Sequence, residues 1–143
     1  MKTLQKTITF CILFLTLSTS AQTAIEGKWK TVDETTGEIT SVVEIYSKDG
    51  KLYGKIDKLF NETDEQSLCD TCVGDEKDKP LLGLNILKNL KKSGDSYNGG
   101  KIFDPSNGKE YRCKIWLDEI DKDKIYVRGY WGIFYRTQNW YRF

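Results

Sequence analysis

The chain of 143 residues contains no histidine. Histidine is the usual general base for serine and cysteine nucleophiles, and it is the commonest ligand of transition metals. Its absence excludes Ser-His-Asp and Cys-His catalysis. Carboxylates, tyrosines, lysines and cysteines remain as proton-transfer groups, but the sequence shows no pair of them poised for that chemistry. We therefore expect no catalytic site, no enzyme activity and no cofactor.

A charge excess of either sign is also missing. The chain has 22 basic and 21 acidic side chains, for a formal net charge of +1. Proteins that bind nucleic acids usually carry a basic excess that neutralises phosphates. The sequence also lacks a basic amphipathic helix of the kind that lies on membrane surfaces. We expect neither a nucleic acid nor a membrane surface as a partner.

No apolar run is long enough to span a bilayer, which takes about 20 residues. The run at residues 8–17 follows the basic Lys2 and Lys6 and precedes small and polar residues at 18–21. This order is typical of a secretory signal peptide, whereas a core helix or membrane anchor is the alternative. We predict cleavage after Ala21. Residues 22–143 would then be one domain, periplasmic or secreted, without membrane insertion.

Turn residues recur along the mature chain at the spacing of short strands joined by tight turns. The clearest turns are residues 47–50 and 104–108, because Asp and Gly tolerate the positive φ that such turns need. The strands that we predict are 25–32, 39–46, 52–59, 97–103, 110–118, 124–131 and 134–143.

Residues 82–91 fit either a strand or a short helix. Leu84, Ile86 and Leu90 alternate as in a strand, whereas Leu84, Leu87 and Leu90 could line one face of a helix. The surrounding strands favour a strand. About eight strands without a long helix indicate an all-β fold, a single closed antiparallel up-and-down β-barrel, because closure also removes exposed sheet edges.

Residues 61–80 break the strand rhythm, because they are acidic, poor in apolar side chains and contain Cys69 and Cys72. We predict a long loop, which could cover one mouth of the barrel. In an oxidising compartment the two cysteines should form a structural disulfide. A redox-active pair would be expected at a helix N-terminus, and a zinc site would need four ligands. We predict a disulfide, no metal site, and a buried, reduced Cys113.

Aromatic side chains crowd the last two predicted strands. They are Tyr126, Tyr130, Trp131, Phe134, Tyr135, Trp140, Tyr141 and Phe143. Strand alternation places them on both faces of the sheet. The inward ones should pack the core, and the others could line a ligand cavity, stack on sugars or cover a protein partner. Arg128, Arg136 and Arg142 could pair with a ligand carboxylate.

Several short motifs occur in one order along the chain. They are Gly-Lys-Trp at 27–29, Asp-Gly-Lys-Leu-Tyr-Gly-Lys-Ile at 49–56, Cys-Asp-Thr-Cys at 69–72, Asp-Pro at 104–105 with Gly-Lys at 108–109, Arg-Gly-Tyr at 128–130 and Trp-Tyr-Arg at 140–142. Together they resemble the exported bacterial family catalogued as domain of unknown function 2147. The resemblance covers nearly the whole mature chain. It implies export and an all-β fold, and it implies no established activity.

A looser resemblance is to lipocalins and fatty-acid-binding barrels. These proteins place a Gly-x-Trp motif on the first strand and an arginine near the last, where the cation and the indole pack together to close the barrel. Gly27, Trp29 and Arg142 match that arrangement. The resemblance implies a lipocalin-like barrel whose interior can hold one small ligand.

We therefore expect the mature protein to bind a small apolar ligand, such as a lipid or fatty acid, inside the barrel. The candidate ligand-binding residues are Trp29, Tyr53, Trp116, Arg128, Tyr130, Trp131, Trp140 and Arg142. One alternative is an envelope module that binds a protein or glycan through its aromatic outer surface. A second is a thiol-redox or metal-binding protein that uses Cys69 and Cys72. The sequence identifies no protein partner.

Overall fold

The computed structural model describes residues 24–60 and 66–143. The predicted signal peptide and the acidic stretch 61–65 lie outside the described residues. Within the described ranges the strands are β1 Gly27–Val32, β2 Ile39–Lys48, β3 Lys51–Leu59, β4 Asn85–Ser93, β5 Ser96–Asp104, β6 Lys109–Leu117, β7 Lys124–Trp131 and β8 Phe134–Arg142. A short 3-10 helix, Gly74–Glu76, lies between β3 and β4.

The strands form a closed barrel in which each strand pairs antiparallel with the next one along the chain. The barrel closes through β1 and β8, where Trp29 pairs with Arg142 and Lys30 with Tyr141. Short turns join most neighbours because each strand only has to reverse direction. The predicted all-β, up-and-down barrel is confirmed.

The ambiguous segment 82–91 is a strand for most of its length. Its helix-like spacing of leucines arises from a β-bulge, since Asn89 has a φ of 59° and an extra residue lets both flanking leucines face inward. Leu87 pairs with Gly54 and Leu90 with Leu52, so residues three apart on β4 meet residues two apart on β3. Both leucines are fully buried.

The inner faces of the strands form one apolar core. Its most buried members include Trp29, Val43, Ile45, Leu52, Leu87, Leu90, Ile115, Ile125, Val127 and Trp140. Alternation explains most of this set, because every second side chain of a strand points to the same side. On β3 the alternation is interrupted, because Lys58 and Ile56 pair with the adjacent residues Val42 and Val43 of β2, and the buried Ile56 and Leu59 lie three residues apart.

The cysteine-containing loop packs against the barrel. Cys69 and Cys72 form a disulfide with an S–S distance of 2.00 Å, as predicted, and both are nearly inaccessible to solvent. Between them, Thr71 donates its hydroxyl proton to the carbonyl oxygen of Pro105 at 2.7 Å. This hydrogen bond holds the disulfide-bridged loop against the β5–β6 turn. Cys113 is buried without a disulfide partner among the described residues.

Candidate ligand site at the open end of the barrel

A cavity of about 640 Å³ opens at one end of the barrel. This end carries the β1–β2, β3–β4, β5–β6 and β7–β8 connections, and we call the cavity the calyx. Its wall includes Val32, Leu59, Leu81 and Pro105 near those connections, and Trp140 deeper in the barrel. Sites for small molecules are typically clefts of about 300–1,000 Å³, so the calyx has the size of a ligand site.

The deeper wall of the calyx is apolar. Ile56, Ile102, Val127 and Trp140 line it, from β3, β5, β7 and β8 respectively. Gly129 contributes no side chain, and a Cβ placed there would lie 3.5 Å from Tyr111 Cβ and 3.6 Å from Ile102 Cγ2. A Cβ would therefore fit in ordinary van der Waals contact, and its absence leaves room for a small group beside these residues. An apolar ligand group would therefore find an apolar surface there.

Polar side chains make up nearly half of the residues that line the calyx, and several of them bond to one another. The Thr31 hydroxyl lies 2.7 Å from the Ser41 hydroxyl. The indole N–H of Trp140 donates to Gln138 Oε1 at 3.1 Å. Near the rim, the Asn107 amide donates to the Tyr111 hydroxyl oxygen at 3.1 Å. These bonds hold the side chains in place, so that they can orient the polar end of a ligand whose apolar body lies deeper.

The charged groups of the calyx lie at its mouth. Arg136 of β8 reaches across to the β1–β2 connection, where its Nη2 lies 2.8 Å from Glu34 Oε2. This hydrogen bond raises the pKa of Arg136 above its usual value. Nearby, the backbone N–H groups of Thr36 and Thr35 lower the pKa of Asp33 below its ordinary value. The mouth therefore presents the Arg136 guanidinium, paired with Glu34, near the Asp33 carboxylate.

The opposite end of the barrel is closed by Trp29 and Arg142. The guanidinium carbon of Arg142 lies 3.8 Å from the centroid of the Trp29 ring, and the indole N–H donates to the carbonyl oxygen of Ile25 at 2.8 Å. Arg142 also donates to the carbonyl oxygens of Glu26 at 3.1 Å and Ala24 at 2.7 Å. This contact ties the β1–β8 seam to the segment before β1. Neither side chain lines the calyx.

The remaining predicted site residues divide between the rim and the outside of the barrel. Trp140 belongs to the calyx wall. Trp131, half exposed at the β7–β8 turn, packs edge-on against Tyr111 with 6.0 Å between ring centroids. Four residues point away from the interior, namely Tyr53, Trp116, Arg128 and Tyr130, and none of them lines the calyx. The concentration of aromatic residues on β7 and β8 therefore did not by itself identify the residues that line the cavity.

Sequence reasoning missed most of the calyx wall. Missed residues include Thr31, Ser41, Ile56, Ile102, Tyr111 and Gln138. Strand alternation provides a signal for some of them, because Tyr111 shares a face with the buried Cys113 and Ile115, and Gln138 shares a face with Trp140. Small polar residues on an inner face are the better indication of a cavity, since they do not fill a core.

A second depression, of about 920 Å³, lies at the closed end. Its wall includes Trp116, Tyr97 and Lys122, and it borders Ala24, where the described chain begins.

Burial raises the pKa of the Cys113 thiol to about 12, so this cysteine stays protonated at neutral pH. In residues 24–60 and 66–143, no three cysteine, aspartate or glutamate side chains gather closely enough to hold a metal ion. No helix in the same ranges is long and apolar enough to cross a membrane.

Comparisons with known proteins agree with this architecture. A family model described as "Uncharacterized protein conserved in bacteria (DUF2147)" matches residues 27–142. A solved structure, protein HP1028 from the human pathogen Helicobacter pylori, is described as belonging to the lipocalin family. It is 20% identical in sequence, the similarity covers 82% of each chain, and the TM-score is 0.69. No curated protein matches the chain. The likeness to HP1028 shows that the barrel is lipocalin-like.

Proposed function

Because the chain belongs to the DUF2147 family of uncharacterized bacterial proteins, and its barrel is lipocalin-like, we propose that it binds a small, mostly apolar molecule in the calyx. The observation that carries this proposal is the cavity of about 640 Å³ with apolar side chains in its depth. The fold alone would not suffice, since one fold supports many functions. Barrels of about eight strands can hold one small ligand when side chains leave the interior unfilled.

Binding would be driven mainly by removal of apolar surface from water. Each 100 Å² of apolar ligand surface buried against Ile102, Val127 and Trp140 would contribute about 2.5 kcal/mol. A polar group on the ligand would remain near the mouth, within reach of Tyr111 and Arg136. The ligand class that fits is a molecule with an apolar body and a polar end, such as a lipid or fatty acid.

We also propose that residues 1–21 are a signal peptide and that residues 22–143 act as one domain in the periplasm or outside the cell. The disulfide between Cys69 and Cys72 supports this proposal, because structural disulfides persist in oxidising compartments. Both sulfur-bearing residues are buried, which favours a structural role over a redox or metal-binding role. A Cys69→Ser, Cys72→Ser variant should therefore retain ligand binding.

Native mass spectrometry of the protein purified from its own host tests the proposal. We expect a stoichiometric additional mass that leaves on denaturation and extracts into organic solvent. The apo protein should then bind N-phenyl-1-naphthylamine, a neutral apolar fluorophore. A bare chain that takes up neither this probe nor lipid extracts of the host would overturn the proposal.

A variant that fills the cavity locates the binding. Gly129→Phe adds a ring to the calyx wall beside Tyr111 and Ile102, and the backbone at Gly129 is not in the left-handed region. We expect probe affinity to fall by roughly tenfold or more, about 1.4 kcal/mol. The matched control is Lys101→Phe, which adds the same ring to an exposed position of β5. Equal affinities in the two variants would show that the probe binds elsewhere.

A further inference from the structure

The outer face of β6, β7 and β8 carries a ladder of aromatic and cationic side chains that is separate from the calyx. We call it the ladder face, and its cross-strand rows are Arg112–Tyr130–Tyr135, Lys114–Arg128–Thr137 and Trp116–Tyr126–Asn139. Strand alternation turns all of these side chains away from the buried Cys113, Val127 and Trp140. None of them lines the calyx.

Arg128 is held rigidly at the centre of the ladder face. Its guanidinium carbon lies 4.9 Å from the Trp116 ring centroid and 4.2 Å from the Tyr135 ring centroid. Its Nε–H donates to the Thr137 hydroxyl at 2.7 Å. No described residue accepts a hydrogen bond from its terminal nitrogens. The planar group is therefore fixed in position with donors to spare, which lowers the entropy lost when it binds an anion.

The ladder face has cations without matching carboxylates. Lysines at its margins are paired, since Lys101 contacts Glu110 at 3.3 Å and Lys124 contacts Asp118 at 3.7 Å. In contrast, Arg112, Lys114 and Arg128 form no ion pair with any residue of the described chain. The whole chain is close to neutral, so this local imbalance is a property of the face.

We propose that the ladder face docks an extended acidic segment of a partner protein. Arg112 and Lys114 are two residues apart on one strand, which places them about 6.6 Å apart at about 3.3 Å per residue. Alternate side chains of an extended peptide have the same spacing, so a segment with an acidic residue at every second position would meet both cations in register. The planar guanidinium of Arg128 can donate two parallel hydrogen bonds to one carboxylate. Trp, Tyr and Arg are also the residues that dominate protein–protein binding energy.

Two other partners fit the face less well. Sugars stack on exposed ring faces, whereas Trp116 and Tyr126 are stacked on each other at 5.2 Å with only 21° between their planes. Polyanions such as nucleic acids are bound by proteins with a broad basic excess, and this chain has none. An acidic protein segment needs only the few charges that the ladder face supplies.

Fluorescence anisotropy with a labelled peptide of alternating glutamate and serine tests this proposal on the full mature protein. The comparison peptide has the same composition with all glutamates in one block. We expect the alternating peptide to bind more tightly, and its affinity to fall as salt is added. Equal binding of both peptides, or no binding of either, would overturn the proposal. Binding only to a sulfated oligosaccharide or to phosphatidylglycerol vesicles would also overturn it and identify the other partner class.

Charge-matched variants assign the binding to the face. Lys114→Gln with Arg128→Gln should weaken the alternating peptide roughly tenfold, about 1.4 kcal/mol. Lys91→Gln with Lys92→Gln removes the same charge from β4 and should leave affinity unchanged. Arg128→Lys keeps the charge but loses the paired donors of the guanidinium, and it should give an intermediate affinity. This single variant tests the proposal even if the double variant does not fold. Equal losses in the β4 variant would refute the assignment.

Discussion

Replacement of Arg142 by alanine should open the closed end of the barrel. Arg142 belongs to one of the two residue pairs that join β1 and β8, and its side chain stacks on Trp29 with 3.8 Å between the guanidinium carbon and the ring centroid. It also donates to the carbonyl oxygens of Ala24 and Glu26. Alanine removes all three contacts and leaves the face of a fully buried indole uncovered.

The expected loss of unfolding free energy follows from these contacts. A hydrogen bond from a charged donor contributes about 1.5–3 kcal/mol when it is well shielded, and a cation–π contact contributes about 0.5–2 kcal/mol. The Arg142 side chain is 30% exposed, so water partly replaces the lost partners and the low end of each range applies. We expect the free energy of unfolding to fall by about 3–4 kcal/mol, which lowers Tm by roughly 10 °C or more.

Urea unfolding, followed by tryptophan fluorescence, measures this loss. Arg136→Ala is the matched control, because Arg136 is also on β8. It is ion-paired with Glu34, as Arg142 is with Asp123 at 3.7 Å, but its side chain is 63% exposed. An exposed ion pair contributes about 1 kcal/mol or less. A loss below about 1 kcal/mol in Arg142→Ala, or equal losses in the two variants, would refute the assignment of closure to Arg142.

Three further predictions concern the disulfide, the free cysteine and a glycine. The Cys69→Ser, Cys72→Ser variant should lose about 2 kcal/mol in urea unfolding, because the closed loop is short; a loss above about 5 kcal/mol would mean that the pair does more than restrain the loop. The pKa of Cys113 is raised to about 12 from an ordinary value of 9.0, so iodoacetamide at pH 9 should label it only after denaturation. The free energy of unfolding should also fall as the pH rises above 9.0, because the thiol then ionises in the unfolded chain but not in the folded one. Rapid labelling of the native protein would contradict its burial. Gly100→Ala should lower the free energy of unfolding by at least about 2–3 kcal/mol, because a Cβ there would overlap the backbone of β4. Gly129→Ala should leave the free energy of unfolding nearly unchanged. Comparable Tm values for the two variants would contradict this packing.

Strand alternation predicts some of the residues that line the calyx but not others. Alternation places Val127 and Trp140 on inner faces without knowledge of any distant residue. It fails on β3 and β4, where extra residues at Asp57 and Asn89 move the side chains that follow to the other face. A bulge of this kind depends on how the neighbouring strand pairs, and local sequence does not reveal it.

Sequence patterns alone were enough to predict the all-β class, the approximate number of strands, the turns between them and the Cys69–Cys72 pairing. Each of these follows from short-range chemistry, such as the period of two in a strand, the φ freedom of Asp-Gly turns and the proximity of two cysteines. The tertiary structure was needed to show which inward-facing residues reach the cavity, since Trp140 lines the calyx whereas the equally buried Trp29 does not. It also decided that an open cavity remains, because cavity volume depends on how side chains from strands distant in sequence fill one shared space.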